Sequence, residues 1–473
     1  METVMNFIGV LNDRLVWGLP MVILMIGTGI FLTIITKAVV FTKFRIVMRY
    51  TAKTLLGEDK QIQVEKGTIT PFQAVCTALA ATVGTGNIVG VAVAIAAGGP
   101  GAVFWMWISA LIGMVIKYCE VTLSQAYRTT NHKGEIVGGP MYYISKGMGT
   151  ERLAVLFAVF ASFASLGIGA SVQANALAGG LNAAFGFDLH IIGVVCAILG
   201  ALIFIGGIKR IADVTEFLVP FMSILYIGSA LVVLFFHFTE IPRAFAMIFT
   251  DIFTGSAAMG GFAGATVTYA CRIGMARGVF THEAGMGSAP IAHASASNDH
   301  PARQGLWGAF EVFFDSIVMC TITALVILTS ELWHDPVHMR DGRAMSAAAF
   351  ESALPFGGYI VTLGLCLFAF ATIIAWYYYG EKCIEYLSMG NKSIRLGYQT
   401  VYAGMVYVGS VASLDIVWAF ADLFNGLMAI PNLIALVVLS PSIKHLSEDF
   451  FRNPDTRHPK DAVFTHLIRI RAT

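Results

Sequence analysis

The sequence predicts an all-α, polytopic membrane protein with about eleven transmembrane helices, and three observations predict it. The 473 residues are 57% hydrophobic and only 12% charged, with a mean hydropathy of +0.74, whereas soluble domains carry about 25% charged residues. Eleven apolar segments approach or exceed the roughly 20 residues that a helix needs to cross a bilayer. Two of those segments are interrupted near their middles by glycine and polar residues. An ordinary soluble enzyme is excluded. Lys plus Arg number 30 against 29 Asp plus Glu, a net charge of +1, so the total offers no field for nucleic acid.

The segments run 15–40, 71–97, 101–124, 152–185, 189–207, 214–236, 265–296, 302–331, 355–385, 396–412 and 414–439. The first is preceded by Glu2, Asp13 and a single Arg14 instead of a basic leader, so it is expected to remain as a helix. The connection 37–66 holds Lys37, Lys43, Arg45, Arg49, Lys53, Lys60 and Lys66, and the tail after 440 holds Lys444, Arg452, Arg457, Lys460, Arg469 and Arg471. Basic loops stay in the cytoplasm. Alternation from there leaves four basic residues outside (Arg14, Arg243, Arg340, Arg343) and three within spans (Lys117, Arg272, Arg277). An odd count of eleven, with the amino terminus outside and the carboxyl terminus inside, satisfies both clusters. No soluble domain is present, and the tail reads as a solvated basic end, although Phe450, Phe451, Ile468 and Ile470 could lie along the inner leaflet. The cysteines (Cys76, Cys119, Cys196, Cys271, Cys320, Cys366, Cys383) lie in or at the ends of apolar segments without CxxC spacing, which indicates neither a disulfide framework nor a zinc cluster.

The second segment reads Thr77-Ala-Leu-Ala-Ala-Thr82-Val-Gly84-Thr85-Gly86-Asn87-Ile-Val-Gly90, and the seventh reads Phe280-Thr281-His282-Glu283-Ala-Gly285-Met-Gly287-Ser288-Ala-Pro290. Within a bilayer an unwound backbone persists only where protein or a water-filled cavity satisfies its polar groups. A lone Gly-x-Gly more often lets helices pack closely. Here the two breaks are separated by four spans, so their segments run in opposite directions, as an inverted repeat of two five-span halves requires. Broken helices in corresponding positions of two halves point to a transporter's substrate site. Exposed N–H groups at a half-helix N-terminus suit a carboxylate, and unwound carbonyls with hydroxyls suit a small cation. The ligand expected is a small zwitterion.

Several runs carry a family resemblance: Gly84-Thr85-Gly86-Asn87-Ile88, Gly98-Gly99-Pro100-Gly101-Ala102-Val103-Phe104-Trp105-Met106-Trp107, Lys117-Tyr118-Cys119-Glu120, Gly138-Gly139-Pro140-Met141-Tyr142-Tyr143, Glu283-Ala284-Gly285-Met286-Gly287-Ser288-Ala289-Pro290 and Tyr378-Tyr379-Gly380-Glu381. Over about 15–440 the sequence resembles the alanine or glycine:cation symporter family, the bacterial sodium/alanine symporters. The resemblance implies the five-plus-five inverted-repeat fold of the bacterial leucine transporter with one extra helix in front. The expected organisation is an extra helix and basic connection (1–70), a first repeat (71–236), an outer connection (237–264), a second repeat (265–439) and a basic tail (440–473). It also implies sodium-coupled, sometimes proton-coupled, uptake of alanine or glycine across the bacterial inner membrane, with no organic cofactor and with a monomer sufficient for transport.

Carried over by position, Thr85, Gly86 and Asn87 are expected to contact substrate from the first break, and Glu283 to Gly287, with Gly285 between them, from the second. Gln173 is expected to reach substrate from the third core span, and Trp376 to wall the pocket. Sodium is expected between carbonyls near Ala80 to Val83 and the Thr372 hydroxyl. The chain departs from the family pattern at Thr281-His282, where Ser-Asn is usual, at Ala371-Thr372, where Ser-Thr is usual, and at Tyr377, where Ser is common. One hydroxyl ligand is therefore missing, and His282, a residue type that titrates near neutral pH, keeps a proton as the alternative coupling ion.

Lys117 and Glu120, three apart on one helix face, are expected to pair with each other, while Asp315 has no partner in sequence. A membrane metalloprotease is excluded because His282-Glu283 is not followed by the second histidine of an HExxH motif. A channel finds neither a carbonyl filter nor a ring of like charges.

Overall fold

The computed structural model describes residues 8–9, 11–12, 16–55, 64, 66–254, 263–335 and 341–452. Arg14, Lys60, Arg340 and the tail beyond 452 lie outside the described residues. We label thirteen helices: α1 (Leu19–Ile35), α2 (Pro71–Thr82), α3 (Gly86–Gly98), α4 (Gly101–Ala126), α5 (Glu151–Phe185), α6 (Leu189–Phe204), α7 (Gly207–Phe236), α8 (Ala263–His282), α9 (Ala289–His293), α10 (Pro301–Thr329), α11 (Gly357–Leu387), α12 (Lys392–Val411) and α13 (Leu414–Val438). All eleven predicted segments are helical. Among the described residues, six continuous helices are long and apolar enough to cross a membrane, and the pair α2 and α3, bent by 49°, makes a seventh. The other four segments hold the shorter α1 and α6, the broken α8 with α9, and the more polar α12.

Local chemistry sets the two breaks. Pro71 opens α2 behind a capping box in which Thr70 accepts from the Gln73 N–H and the Gln73 side chain accepts from the Thr70 N–H. The helix stops at Val83, whose backbone is extended (φ −78°, ψ 91°). The Gly84 N–H, which would continue the helical ladder to Ala80, is instead taken by Asn87 Oδ1 at 2.9 Å. In the second break, Glu283, Gly285 and Gly287 all have positive φ (54°, 89° and 79°). Glycine reaches that region at no steric cost, whereas Glu283 is held there against its Cβ. Pro290 restarts the chain as α9.

The helices pack in two groups. α4 lies against α8 and α10, and α8 against α3. α5 packs on α11 and α13, and α6 packs on α12. α7 bridges the groups, touching α2 and α11. The two broken elements are tied at one end, where the Ile69 N–H donates to Ser295 O (3.0 Å) and the Ser297 N–H to Ile69 O (2.9 Å). A short hairpin, β1 (Thr129–Thr130) and β2 (Ile136–Val137), lies between α4 and α5 in sequence.

Candidate functional site

The breaks meet. An added Cβ on Gly86 would lie 2.7 Å from Thr281 Cγ2 and 3.3 Å from Phe280 Cδ1, so the first break is in van der Waals contact with the last turn of α8. At the N-terminus of α3, the Thr85 N–H makes a long 3.4 Å bond to Gln173 Oε1, and the buried Thr85 hydroxyl has no partner among the described residues. A buried orphan hydroxyl is costly in hydrocarbon surroundings. Gln173 donates its other end to Ile168 O (3.1 Å), so its carboxamide is held beside the break. Asn87 turns the other way: beyond Gly84, it donates to Asp315 Oδ1 at 2.7 Å. Its side chain shapes the break and finds Asp315 the partner that sequence could not supply.

The unwinding at Val83 also frees Ala80 O. The Thr372 hydroxyl donates to it at 2.8 Å, and an added Cβ on Gly84 would sit 2.8 Å from the same hydroxyl. Ala80, Val83 and Thr372 are thus gathered at the C-terminal, negative end of the α2 dipole. Neutral oxygens of this kind suit a hard monovalent cation. Among the described residues, no three His, Cys, Asp or Glu side chains converge to hold a metal.

Trp376 is fully buried, with its ring against Tyr379 (centroids 5.4 Å apart). Its indole N–H donates to Glu283 Oε1 at 2.8 Å, and the Ser288 hydroxyl donates to Glu283 Oε2. Gly169 lets α5 approach the indole, since a Cβ there would overlap Trp376 Cβ at 2.3 Å. Gly285 donates its N–H to Glu120 Oε1 (3.0 Å) and accepts at its carbonyl from Asn432 Nδ2 (2.9 Å). A Cβ on Gly287 would meet Pro140 Cγ at 2.5 Å. Thr85, Gly86, Gln173, Glu283 and Trp376 are thereby linked into one region, whereas Gly285 and Gly287 pack behind it.

A sequence model of the sodium:alanine symporter family matches residues 1–465. The chain belongs to that family. It is 45% identical over 443 residues to the sodium/alanine symporter AgcS of Methanococcus maripaludis, covering 92% of this chain and 95% of that protein. It is 39% identical over 462 residues to the probable sodium/glutamine symporter GlnT of Bacillus subtilis, covering 97% and 93%. A crystal structure of MhsT in complex with L-phenylalanine superposes with a TM-score of 0.56 at 13% identity, covering 80% of this chain and 97% of MhsT. The fold is therefore the leucine-transporter type that the sequence predicts.

In this family member the buried charges are not paired as expected. Lys117 does not bond Glu120; its ammonium group lies 3.3 Å from Glu311 Oε1, both side chains being 0% exposed. Glu311 Oε2 also meets His293 Nε2 at 3.0 Å. Glu120 instead holds Gly285 and Asn432, and Asn432 accepts from the Tyr143 hydroxyl. The three-residue spacing put Lys117 and Glu120 on one face, but α10 offers a carboxylate to Lys117 directly across the interface. Glu311, His293 and Asn432 were missed, and the signal that could have found them is their polarity within apolar segments. His282 is engaged at both nitrogens: Nδ1 accepts from the Ala284 N–H (3.0 Å), so Nε2 carries the hydrogen and meets Ser109 Oγ (2.9 Å). On the other side of Phe280, Arg277 stacks over Trp418 (4.7 Å) and pairs with Asp422 (3.4 Å).

Proposed function

We propose that the protein is a secondary active transporter that brings a small neutral amino acid, alanine or glycine, into the cell together with sodium by alternating access. The observation that carries this reading is the junction of the two breaks at Gly86 and Thr281, flanked by the orphan Thr85 hydroxyl and by the Thr372–Ala80 contact. The substrate carboxylate takes the N–H groups and hydroxyl at the start of α3, where the helix dipole is positive. The ammonium group turns to the free carbonyls ending α8. Glu283, already engaged by Ser288 and Trp376, fixes those carbonyls and the indole wall. Sodium takes Ala80 O, the α2 end near Val83 and the Thr372 hydroxyl, whose hydrogen then turns away. Gly86, against Thr281 and Phe280, keeps the pocket small.

The same reading assigns two inverted halves, 71–236 and 265–439, preceded by the extra helix, in the bacterial inner membrane with the amino terminus outside. The names of the relatives support cation-coupled amino-acid transport. Proton coupling through His282 is disfavoured by the Ala284 N–H that occupies its Nδ1. Uptake of labelled alanine and glycine, each in competition with glutamine, into proteoliposomes tests the substrate. Preference for glutamine over both would overturn it.

A further inference from the structure

A cavity of about 310 Å³ opens between the ends of α6, α7, α11 and α12. Its polar rim is Lys133, Lys392, Arg395 and Glu381. Both Glu381 oxygens are already engaged: Arg395 Nε donates to Oε1 at 2.6 Å, and Lys382 Nζ lies 3.5 Å from Oε2. No hydrogen bond or ion pair among the described residues occupies the ammonium groups of Lys133 and Lys392, and both residues are exposed. Arg395 and Glu381 offset one another, so the net positive charge of the rim comes from Lys133 and Lys392.

The inner wall is apolar and rigid. Phe204 stacks on Tyr377 with centroids 3.9 Å apart at 13°, and the lining includes two exposed apolar side chains, Ile205 (72%) and Leu396 (62%), with Leu202 exposed one turn before Ile205. A cationic rim that runs into an exposed apolar face matches an amphiphile whose head is an anion. On the orientation proposed above, from which this inference takes its side of the membrane, the loops bearing Lys133, Gly207 and Lys392 all lie at the cytoplasmic surface. That is the depth at which phospholipid headgroups sit, and basic pockets between helices on that side recognise anionic headgroups.

We propose that this cavity is a binding site for one anionic phospholipid, with its phosphate between Lys133 and Lys392 and its acyl chains along Leu202, Ile205 and Leu396. Arg395 stays with Glu381. The bound lipid joins the ends of α6, α11 and α12.

The test uses the full chain in nanodiscs of mixed phosphatidylglycerol and phosphatidylcholine, with protein-bound lipid read by native mass spectrometry. Both leaflets carry both lipids, so the outcome does not depend on orientation or on the transport reading. The wild type should retain phosphatidylglycerol preferentially. Lys133→Gln with Lys392→Gln should weaken that preference about thirtyfold, as loss of two lysines near an anionic surface gives. Lys133→Arg with Lys392→Arg should keep it, and Lys43→Gln with Arg45→Gln, on the basic connection, should leave it unchanged. Free inorganic phosphate should not displace the lipid. Equal retention by the Gln pair, equal loss in the Lys43 and Arg45 variant, loss in the Arg pair, or displacement by phosphate alone would each overturn the proposal.

Discussion

The indole N–H of Trp376 donates to the carboxylate of Glu283 across 2.8 Å, joining the long helix α11 to the left-handed residue of the second break. This bond makes two separate uses of one side chain. The ring fills space, and its N–H holds the backbone turn that presents the end of α8.

Two substitutions separate those uses. Trp376→Phe keeps most of the bulk but removes the hydrogen bond to the Glu283 carboxyl, worth about 0.5–1.5 kcal/mol. Alanine affinity should fall severalfold, without new binding of valine or leucine. Trp376→Ala should weaken alanine binding and admit valine or leucine. Competition against labelled alanine measures both; unchanged selectivity in the Ala variant would remove Trp376 from the pocket wall.

The nearest neighbour of Gly86 is the Thr281 methyl group, with Phe280 Cδ1 next. Gly86→Ala places a Cβ where Thr281 Cγ2 would be 2.7 Å away, which packing does not tolerate. Transport should drop sharply at normal expression, and Gly86→Val should abolish it. Adding Thr281→Ser to Gly86→Ala deletes that methyl and should restore part of the uptake. If the double variant transports no better than Gly86→Ala, the contact between the breaks is not what limits the site.

Thr372 donates its hydroxyl to Ala80 O, while its neighbour Ala371 has no hydroxyl to add. Thr372→Ala should raise the sodium concentration for half-maximal uptake by about tenfold, roughly the worth of one oxygen ligand at 1.4 kcal/mol, while Thr372→Ser should stay near the wild type. An unchanged sodium dependence in the Ala variant would move the cation elsewhere.

Lys117 and Glu311 form a fully buried pair. Removing one partner of a buried pair costs about 3–5 kcal/mol, and Lys117→Met would leave Glu311 with His293 alone. Lys117→Met should lower Tm markedly, and adding Glu311→Gln should recover much of the loss. A double variant no more stable than Lys117→Met would mean that the pair is not coupled.

The breaks were legible because glycine and polar residues in the middle of a hydrophobic run have few explanations, and the chain leaves the helix at Val83 and Gly84 and at Glu283 to Ser288, within the stretches the sequence marks. The pairing of buried charges was not. Helical spacing reports only neighbours on one helix, so it joined Lys117 to Glu120, whereas the partners that satisfy them, Glu311 and Asn432, come from α10 and α13 across packed interfaces. The same limit hid the role of Asn87. Its place in the glycine motif suggested a ligand contact, yet its side chain caps Gly84 and holds Asp315 on α10, a distance of 228 residues along the chain.

Coupling is the central claim, and uptake of labelled alanine into proteoliposomes with sodium and proton gradients imposed separately tests it most directly. One cation moving with a zwitterion carries one net charge, worth about 2.3 kcal/mol per 100 mV and hence about fiftyfold accumulation from the potential alone. An inward sodium gradient should drive accumulation, an inside-negative potential should increase it, and a proton gradient without sodium should not support it. Uptake indifferent to sodium and to potential, or driven equally by protons alone, would contradict the account.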